Sequence, residues 1–413
     1  MGIVVLPTVI SYSRILSKLS IGLDKRPDLV ASLTNRQTAV GSEDAFERVT
    51  LVETSANVIR EAFKKCLSER SGIATGGVTV NGKPEGRRVG IYLCANMCLR
   101  LFFRCKKLRS AEQIFGNIYQ QSPPLSCFPA AQRVTYLYYL GRYHFANNHF
   151  PRAALVLQAA YDQCHSQCLS QRHKIVIYLI TSNVILGRFP GSKLLSRPEC
   201  ADLYDKFIPI CHAIRKGDLR SFRALLSLSH PNSDWYLHWR ILFQLQNRCE
   251  VLVLRSLARR IFLLSGWQPD SDNVKKAATL DLADLRDAIS ILTGASVPLV
   301  DPDILDLSDY EESEGSDSGS NLHVEEAEAI VQSLIQQDLL QGYVSHKLGK
   351  FAITGTKATA PLQAGFPNVW KVIEKKVDKD EIPGWVQKFR GAGAVGTVVK
   401  LSNVKAVGEA PIE

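Results

Sequence analysis

Residues 130–164 read AAQRVTYLYYLGRYHFANNHFPRAALVLQAAYDQC, and this stretch predicts two antiparallel helices joined by a short turn. The turn lies near Asn148, and Pro151 follows in the first turn of the second helix, where its missing N–H costs nothing. Gly141 on the first helix and several alanines on the second let the two helices approach closely. Aromatic side chains such as Tyr136 fill the remaining volume. The stretch therefore predicts one helical hairpin of a repeat protein.

Helical patterns continue on both sides of this hairpin. Gly217 ends one predicted helix, while Asp218 and Asp281 each stand where an N-cap of the next helix is expected. The further predicted helices cover residues 55–69, 91–105, 111–119, 171–186, 203–216, 219–228, 235–246, 250–264, 282–292 and 324–337. Stacked helix pairs with a repeat of about 34 residues are typical of tetratricopeptide-like proteins, so a mainly α fold is predicted.

The pattern changes near the end of the helical region. Residues 342–354 read GYVSHKLGKFAIT, which predicts a β-hairpin with Gly349 in its turn. A short hairpin that follows helices is typical of a winged helix.

Five sequence blocks together resemble a known family. They are AQRVTYLYYLGRYHF, QRHKIVIYLITSNVILGRFP, HAIRKGDLRSF, LRSLARRIFLL and QGYVSHKLGKFAIT. They are similar to PCI-domain proteins, in the group with PCI-domain-containing protein two, the Thp-type mRNA-export subunits and the accessory twelfth subunit of the COP-nine signalosome. The resemblance implies a right-handed TPR-like helical-repeat superhelix that ends in a winged-helix (PCI) subdomain with a small β-hairpin.

The resemblance covers residues 50–370 and sets the expected domains. Residues 1–45 form an N-terminal segment that matches the family pattern poorly and is assigned to no domain. A helical-repeat solenoid is expected over 46–267. The winged-helix part is expected over 268–357, with a disordered acidic insertion at 301–320. A partly disordered extension is expected over 358–413. The insertion and both terminal segments depart from the family pattern.

The charge of the chain is positive and unevenly distributed. Its 50 Lys and Arg residues exceed its 40 Asp and Glu residues, for a formal net charge of +10. Residues 301–320 carry eight acidic and no basic side chains, so the rest of the chain carries +18. This balance favours a polyanionic partner such as nucleic acid, an acidic protein or a membrane surface.

Two groups of basic residues are candidate nucleic-acid contacts. Three arginines recur on one predicted helix, and three lysines lie at or after the predicted wing. The candidates are Arg255, Arg259, Arg260, Lys347, Lys350 and Lys357. Phosphate contacts of this kind bind RNA or DNA largely independently of sequence. The alternative is an ordinary solvated helix face and a polar turn.

A second basic set follows the solenoid and could pair with a small acidic protein. It consists of Arg172, Lys174, Arg188, Arg215, Lys216, Arg220 and Arg223. The alternative is that these cations stabilise the helices themselves, because positive charges near the C-terminal end of a helix interact favourably with the helix dipole.

The resemblance also implies partners and a function. Thp-type subunits associate with a GANP-type scaffold protein and a small acidic Sem-like protein, and the winged helices bind nucleic acid. The implied role is a non-catalytic scaffold subunit of a nuclear, transcription-coupled mRNA-export complex, located in the nucleus and at nuclear pores and also in the cytoplasm. The alternative is an accessory structural subunit of a complex like the signalosome or the proteasome lid, with no nucleic-acid role.

Catalytic and cofactor motifs are not found in the sequence. It contains no GxSxG, HExxH or Walker motif, so neither an enzyme nor a cofactor is expected. The ten cysteines are dispersed, and the spacings Cys94/Cys98 and Cys164/Cys168 favour buried or helix-end thiols over a zinc site. The apolar segment at residues 2–10 is too short to cross a membrane and contains Pro7, so no membrane segment is expected.

Overall fold

The helical patterns and the single hairpin of the sequence recur in the computed structural model, which confirms a mainly α fold with one small antiparallel sheet. The structure describes residues 2–26, 28–29, 50–69, 77–267, 277–293, 324–356, 359–377 and 382–385. The acidic insertion 301–320, Lys357 and most of the residues after 377 lie outside these ranges. The expectations about the disorder of the insertion and the tail therefore stay predictions.

The chain divides into two units, residues 1–175 with 379–413 and residues 176–378. The domain limits expected from the sequence stay predictions. The first unit contains α1 (Gly2–Asp24), α2 (Leu51–Leu67), α3 (Ile91–Arg104), α4 (Leu108–Gln121), α5 (Ala130–Ala146), α6 (Phe150–Gln163) and the start of α7 (Leu169–Ile185).

The second unit contains the rest of α7 and all later described helices and strands up to residue 378. Its helices are α8 (Ser192–Leu195), α9 (Tyr204–Lys216), α10 (Leu219–Leu225), α11 (Ser233–Trp239), α12 (Leu242–Ser265), α13 (Leu282–Thr293), α14 (Val324–Gln336), α15 (Pro361–Gly365) and α16 (Val369–Lys376). Its strands are β1 (Thr279–Asp281), β2 (Gly342–Ser345) and β3 (Lys350–Ile353).

The hairpin predicted from residues 130–164 is formed by α5 and α6. Asn148 adopts a left-handed conformation with φ of 61° in the turn between them. Gly141 is necessary for the close approach, because a Cβ atom there would lie 2.5 Å from Cγ of Leu157. Tyr136 is fully buried and stacks edge-to-face on Tyr92 at 4.8 Å between ring centroids. Small residues and aromatic rings thus have the packing roles expected from the sequence.

A short segment late in the chain, residues 382–385, docks on this hairpin. The hydroxyl of Tyr136 donates a 2.6 Å hydrogen bond to the carbonyl of Gly384. Nε2 of His144 lies 3.3 Å from the carbonyl oxygen of Pro383, so Nε2 carries the proton. Ile382 is buried as well. The sequence offered no signal for this contact, which joins residues about 240 positions apart in the chain.

Helix α1 extends well beyond the apolar segment seen in the sequence. Pro7 lies inside it and removes only one hydrogen bond, so the helix continues to Asp24. By length and composition alone, Ile3–Asp24 is long and apolar enough to cross a membrane, whereas the sequence pattern suggests only the short apolar segment 2–10. A core helix or a signal sequence passes the same test. Within this chain, serines of α1 are buried while large apolar side chains such as Val4 and Ile15 are exposed.

The cysteines of α3 are core residues, as the sequence predicts. Cys94 and Cys98 are fully buried, and burial raises the pKa of the Cys98 thiol to about 12. Cys164 is buried too, whereas Cys168 is exposed. In the described part of the chain, no three His, Cys, Asp or Glu side chains lie close enough together to hold a metal ion.

One helix break of the second unit differs from the prediction. The sequence pattern places it between residues 246 and 250, whereas α11 ends at Trp239 and α12 begins at Leu242. Arg240 adopts a left-handed conformation with φ of 57° and reverses the chain there. The two N-caps were predicted correctly, since Oδ1 of Asp218 accepts from the N–H of Ser221 and Oδ1 of Asp281 from that of Ala283.

The predicted hairpin is confirmed and is part of a three-stranded antiparallel sheet with the order β1-β3-β2. Tyr343 of β2 pairs with Ala352 of β3, and Leu280 of β1 pairs with Phe351 on the other side. Gly349 lies in the turn with φ of 59°. The sequence did not predict β1, because a strand of three residues is too short to show alternation.

We expect His144 to make stability depend on pH. Burial lowers its pKa to about 4, and Nδ1 is buried without a hydrogen-bond partner. The unfolded chain, with an ordinary histidine pKa near 6.5, binds the proton first as pH falls, so stability decreases from pH 6.5 towards pH 4. Between pH 7 and pH 5 the loss should be about 2 kcal/mol. Urea unfolding of wild type and His144→Phe at both pH values measures it.

In this comparison, His144→Phe should lose about 2 kcal/mol less than wild type over the same pH interval. The matched control is His212→Phe at an exposed histidine, which should follow the wild-type pH dependence. Equal losses in wild type and His144→Phe would contradict the role of His144.

We expect Gly217→Ala to destabilise the second unit more than Gly349→Ala does. Both glycines have left-handed φ angles, 70° and 59°. A Cβ atom at Gly217 would lie 2.5 Å from the backbone nitrogen of Leu257, whereas nothing lies within 4 Å at Gly349. Both variants lose about 1 kcal/mol to backbone strain, and only Gly217→Ala adds a backbone clash of about 1–3 kcal/mol. Urea midpoints that are equal for the two variants would contradict this packing.

Candidate anion-binding pocket

A pocket of about 250 Å³ lies within the second unit, where three helices and a loop meet. The loop after α7, the end of α9, the middle of α12 and the start of α16 each contribute side chains. The lining residues are Gly187, Phe189, Ile214, Arg215, Leu252, Arg255, Ser256, Arg259, Asn368 and Val369. Three of them are arginines and none is acidic, so the pocket is strongly basic.

Arg255 forms the rigid part of this pocket. Its Nε donates to the carbonyl of Leu339 at 3.2 Å, and its Nη2 donates to the carbonyls of Phe366 and Pro367. Burial, together with the nearby charge of Arg259, lowers the pKa of Arg255 to about 10. Backbone carbonyls thus hold the guanidinium in place. Because its pKa of about 10 is still above physiological pH, the group adds a positive charge to the pocket.

Arg215 and Arg259 are the exposed arginines of the pocket. The guanidinium carbon of Arg215 lies 4.9 Å from the ring centroid of Phe189, a cation–π contact that orders the side chain. Arg259 is four residues after Arg255 on α12, so both point to one side of the helix. Neither Arg215 nor Arg259 forms an ion pair with a carboxylate among the described residues.

The rim of the pocket is closed by the loop after α7. Gly187 has φ of 79°, and a Cβ atom there would lie 2.7 Å from Cγ1 of Val369. The guanidinium carbon of the next residue, Arg188, lies 4.3 Å from the ring centroid of Trp370. A glycine is thus required for the loop to pack against the start of α16.

The structure separates the predicted nucleic-acid residues by role. Arg255 is engaged within the fold, Arg259 is exposed in the pocket, and Nη1 of Arg260 lies 3.4 Å from the carbonyl oxygen of Lys216. At the wing, Lys350 lies 4.0 Å from Asp281, and Lys347 is exposed.

The predicted acidic-partner residues also have different surroundings. Arg172 and Lys174 belong to the first unit, and the other five belong to the second. Arg172 lies over the ring of Tyr161 at 4.1 Å and donates to the carbonyl of Cys164. Lys174 is exposed.

Within the second unit, two members of that set serve the fold. Arg220 donates to the carbonyls of Ile291 and Leu292 at the end of α13. Arg223 forms an ion pair with Glu250, with 2.5 Å between Nη2 of Arg223 and Oε1 of Glu250. Arg188, Arg215 and Lys216 remain exposed at or next to the pocket and its rim.

Sequence reasoning missed the pocket because its parts are far apart in the chain. It assigned Arg215 and Arg259 to different surfaces, whereas the structure places both in one pocket. It also missed Phe189, Ser256 and Asn368. These residues belong to no local motif, and the sequence carries no signal that their elements meet.

Comparison with known proteins gives a consistent set of relatives, although no family model matches the chain. A PCI domain-containing protein of Schizosaccharomyces pombe is 27% identical over 334 residues, which is 81% of this chain and 64% of that protein. A CSN12 homolog of Gibberella zeae is 25% identical over 300 residues, 70% of this chain and 57% of that protein. PCI domain-containing protein 2 of Danio rerio is 22% identical over 315 residues, 76% of this chain and 65% of that protein.

The chain thus spans 57 to 65% of the length of these relatives. Their matches extend over 300 residues or more, so the similarity rests on the helical region and not on one short motif.

We expect Arg255→Lys to destabilise the protein by about 1.5–3 kcal/mol, the usual contribution of hydrogen bonds to a charged group. A lysine ammonium lacks the planar fork that reaches the carbonyls of Leu339, Phe366 and Pro367 together. The matched control is Arg259→Lys on the same helix, which should change stability by less than about 0.5 kcal/mol because its side chain is exposed. Urea unfolding midpoints provide the measurement, and equal midpoints for the two variants would contradict the role of Arg255.

Proposed function

We propose that this chain, which belongs to the PCI-domain proteins in the group of PCI domain-containing protein 2 and the CSN12 homologs, is a non-catalytic scaffold subunit of a nuclear mRNA-export complex. In this role it binds RNA or DNA and couples transcription to export, in the nucleus and at nuclear pores, with a cytoplasmic pool. The observation that carries the nucleic-acid part is the set of exposed cations in the second unit, on the same unit as the three-stranded sheet.

The exposed cations favour phosphate contacts. Arg259, Arg260 and Lys347 have exposed side chains and no carboxylate partner among the described residues. Arginine binds phosphate oxygens through two N–H groups and stays charged at any physiological pH. Contacts to phosphates carry no sequence information, so binding would be salt-dependent and nearly independent of sequence.

The proposed partners are a GANP-type scaffold protein and a small acidic Sem-like protein. Support for the acidic partner comes from Lys174 in the first unit and from Arg188 and Lys216 in the second, all of which are exposed. Since the chain spans only part of the length of its relatives, the assembly they form is a proposal for this chain.

The second candidate function is an accessory structural subunit of a complex like the signalosome or the proteasome lid. It is favoured by relatives that are named CSN12 homologs. The identities of relatives with either kind of name lie between 22% and 27%, so identity does not favour the export branch over the signalosome branch. This candidate requires no nucleic-acid contact, so nucleic-acid binding separates the two.

Binding to single-stranded RNA tests the nucleic-acid role with residues outside the pocket. For Arg260→Gln/Lys347→Gln, we expect weaker binding, and a salt slope flattened by up to about 1.4, because each phosphate contact contributes about 0.7. Fluorescence anisotropy with a labelled RNA of mixed sequence, at about 50–200 mM salt, provides the measurement.

The matched control is Lys65→Gln/Lys193→Gln, which removes the same charge from two exposed positions elsewhere. It should keep the wild-type slope. If the wild-type chain binds no RNA, alone or with the proteins that co-purify with it, the second candidate is the better one. The proteins that co-purify from a nuclear extract identify the complex: an export scaffold supports the proposal, and signalosome subunits support the alternative.

A further inference from the structure

We propose that the pocket lined by Arg215, Arg255 and Arg259 is a binding site for a small phosphate-bearing ligand. The inference goes beyond the export role, because the pocket would take a free polyphosphate as well as a phosphate of a nucleic-acid strand. It rests on three arginines that share a pocket of about 250 Å³ with no acidic residue in its lining.

Among the described residues, no carboxylate pairs with the arginines of the pocket. Three guanidinium groups that line one pocket carry like charges and repel each other. Burial lowers the pKa of Arg255, and the nearby charge of Arg259 lowers it further. A bound anion would remove the repulsion, so the site should favour a ligand with more than one negative charge.

The polar groups of the pocket are arranged as hydrogen-bond donors. The guanidinium groups of Arg215 and Arg259 pair with no carboxylate among the described residues. Oδ1 of Asn368 accepts from the N–H of Lys371, which leaves the side-chain NH₂ group of Asn368 as a donor. The hydroxyl of Ser256 has no hydrogen-bond partner among the described residues. Such a set fits a ligand that only accepts hydrogen bonds.

Much of this arrangement is fixed before a ligand binds. Backbone carbonyls hold Arg255 in place, and the ring of Phe189 orders Arg215. Because two of the three arginines already have these contacts, less side-chain freedom is lost on binding, which reduces the entropy cost.

The class of ligand follows from the donors and the volume. A phosphate group has more acceptor oxygens than a carboxylate and can engage several of these donors at once. The volume of about 250 Å³ is slightly below the usual range of small-molecule sites, about 300–1,000 Å³. Apolar walls from Ile214, Leu252 and Val369 enclose the charged side. The pocket therefore fits a compact phosphate-bearing group better than an acidic peptide segment.

Tripolyphosphate is the probe for the first test, with the full chain and isothermal titration calorimetry at low salt. We expect the wild-type chain to bind it and to show a melting temperature that rises with probe concentration. Arg215→Gln/Arg259→Gln should weaken binding at least tenfold. The matched control, Lys193→Gln/Arg248→Gln, removes the same charge, and Arg248 lies about 16 Å from Arg259 along α12 at 1.5 Å per residue. This control should bind as wild type does.

A second variant separates the pocket from general electrostatic attraction. Ser256→Phe fills the pocket and keeps every charge, so it should also lose tripolyphosphate binding while its far-ultraviolet circular dichroism stays unchanged. Arg215→Lys/Arg259→Lys keeps the charge and should retain part of the affinity. Retained affinity would show that changing these two positions does not by itself unfold the pocket. No binding by wild type, or equal binding by wild type and Ser256→Phe, would overturn the proposal.

RNA distinguishes the two sources of phosphate. If the ligand is a strand phosphate, single-stranded RNA displaces tripolyphosphate and Ser256→Phe weakens RNA binding. If the ligand is a free polyphosphate, Ser256→Phe leaves RNA binding unchanged while tripolyphosphate binding is lost. Both results support a phosphate site, whereas tighter binding by a Glu-rich peptide than by tripolyphosphate would overturn it. Failure of the RNA test with Arg260→Gln/Lys347→Gln does not affect these outcomes, because both residues lie outside the pocket lining.

Discussion

The packing of the second unit around α12 depends on the hydrogen bonds that the guanidinium group of Arg255 donates. This group comes from the middle of α12 and donates to the backbone carbonyls of Leu339, Phe366 and Pro367. Those carbonyls belong to the segments that follow α14 and precede α16. Because a buried carbonyl without a donor is costly, this single side chain holds two irregular segments against a long helix.

The same contact shapes the pocket and its charge. Pro367 directly precedes Asn368 and Val369, so the carbonyl that Arg255 holds also fixes the pocket wall at the start of α16. Gly187 packs against Val369 from the other side. A structural arginine thus contributes charge to a site whose exposed members remain available for ligands. The arginine that the fold engages and an exposed arginine of the pocket are four residues apart on one helix.

The first unit depends on a different kind of contact, that between a hairpin and a distant segment. Gly141 lets α5 and α6 pack closely against each other. The buried hydroxyl of Tyr136 donates a hydrogen bond to the carbonyl of Gly384. The buried imidazole of His144 is neutral at physiological pH because its surroundings are apolar. Polar groups inside the helical core therefore serve to attach residues 382–385.

The sequence by itself determined most of the helices, the N-caps at Asp218 and Asp281 and the hairpin of the sheet, because each depends on residues within a few turns of one another. Spacing of apolar residues, Gly217 and Asp218 at a helix boundary, and Gly349 in a turn are all local signals. The five blocks also carry the resemblance to the PCI-domain proteins, and relatives with names from that group match over 70–81% of the chain at 22–27% identity. Only the tertiary structure decided which arginine of the pocket is held by backbone carbonyls and which ones stay exposed. Arg255 and Arg259 look alike in the sequence, and the difference between them arises because carbonyls more than 80 residues away reach one of them.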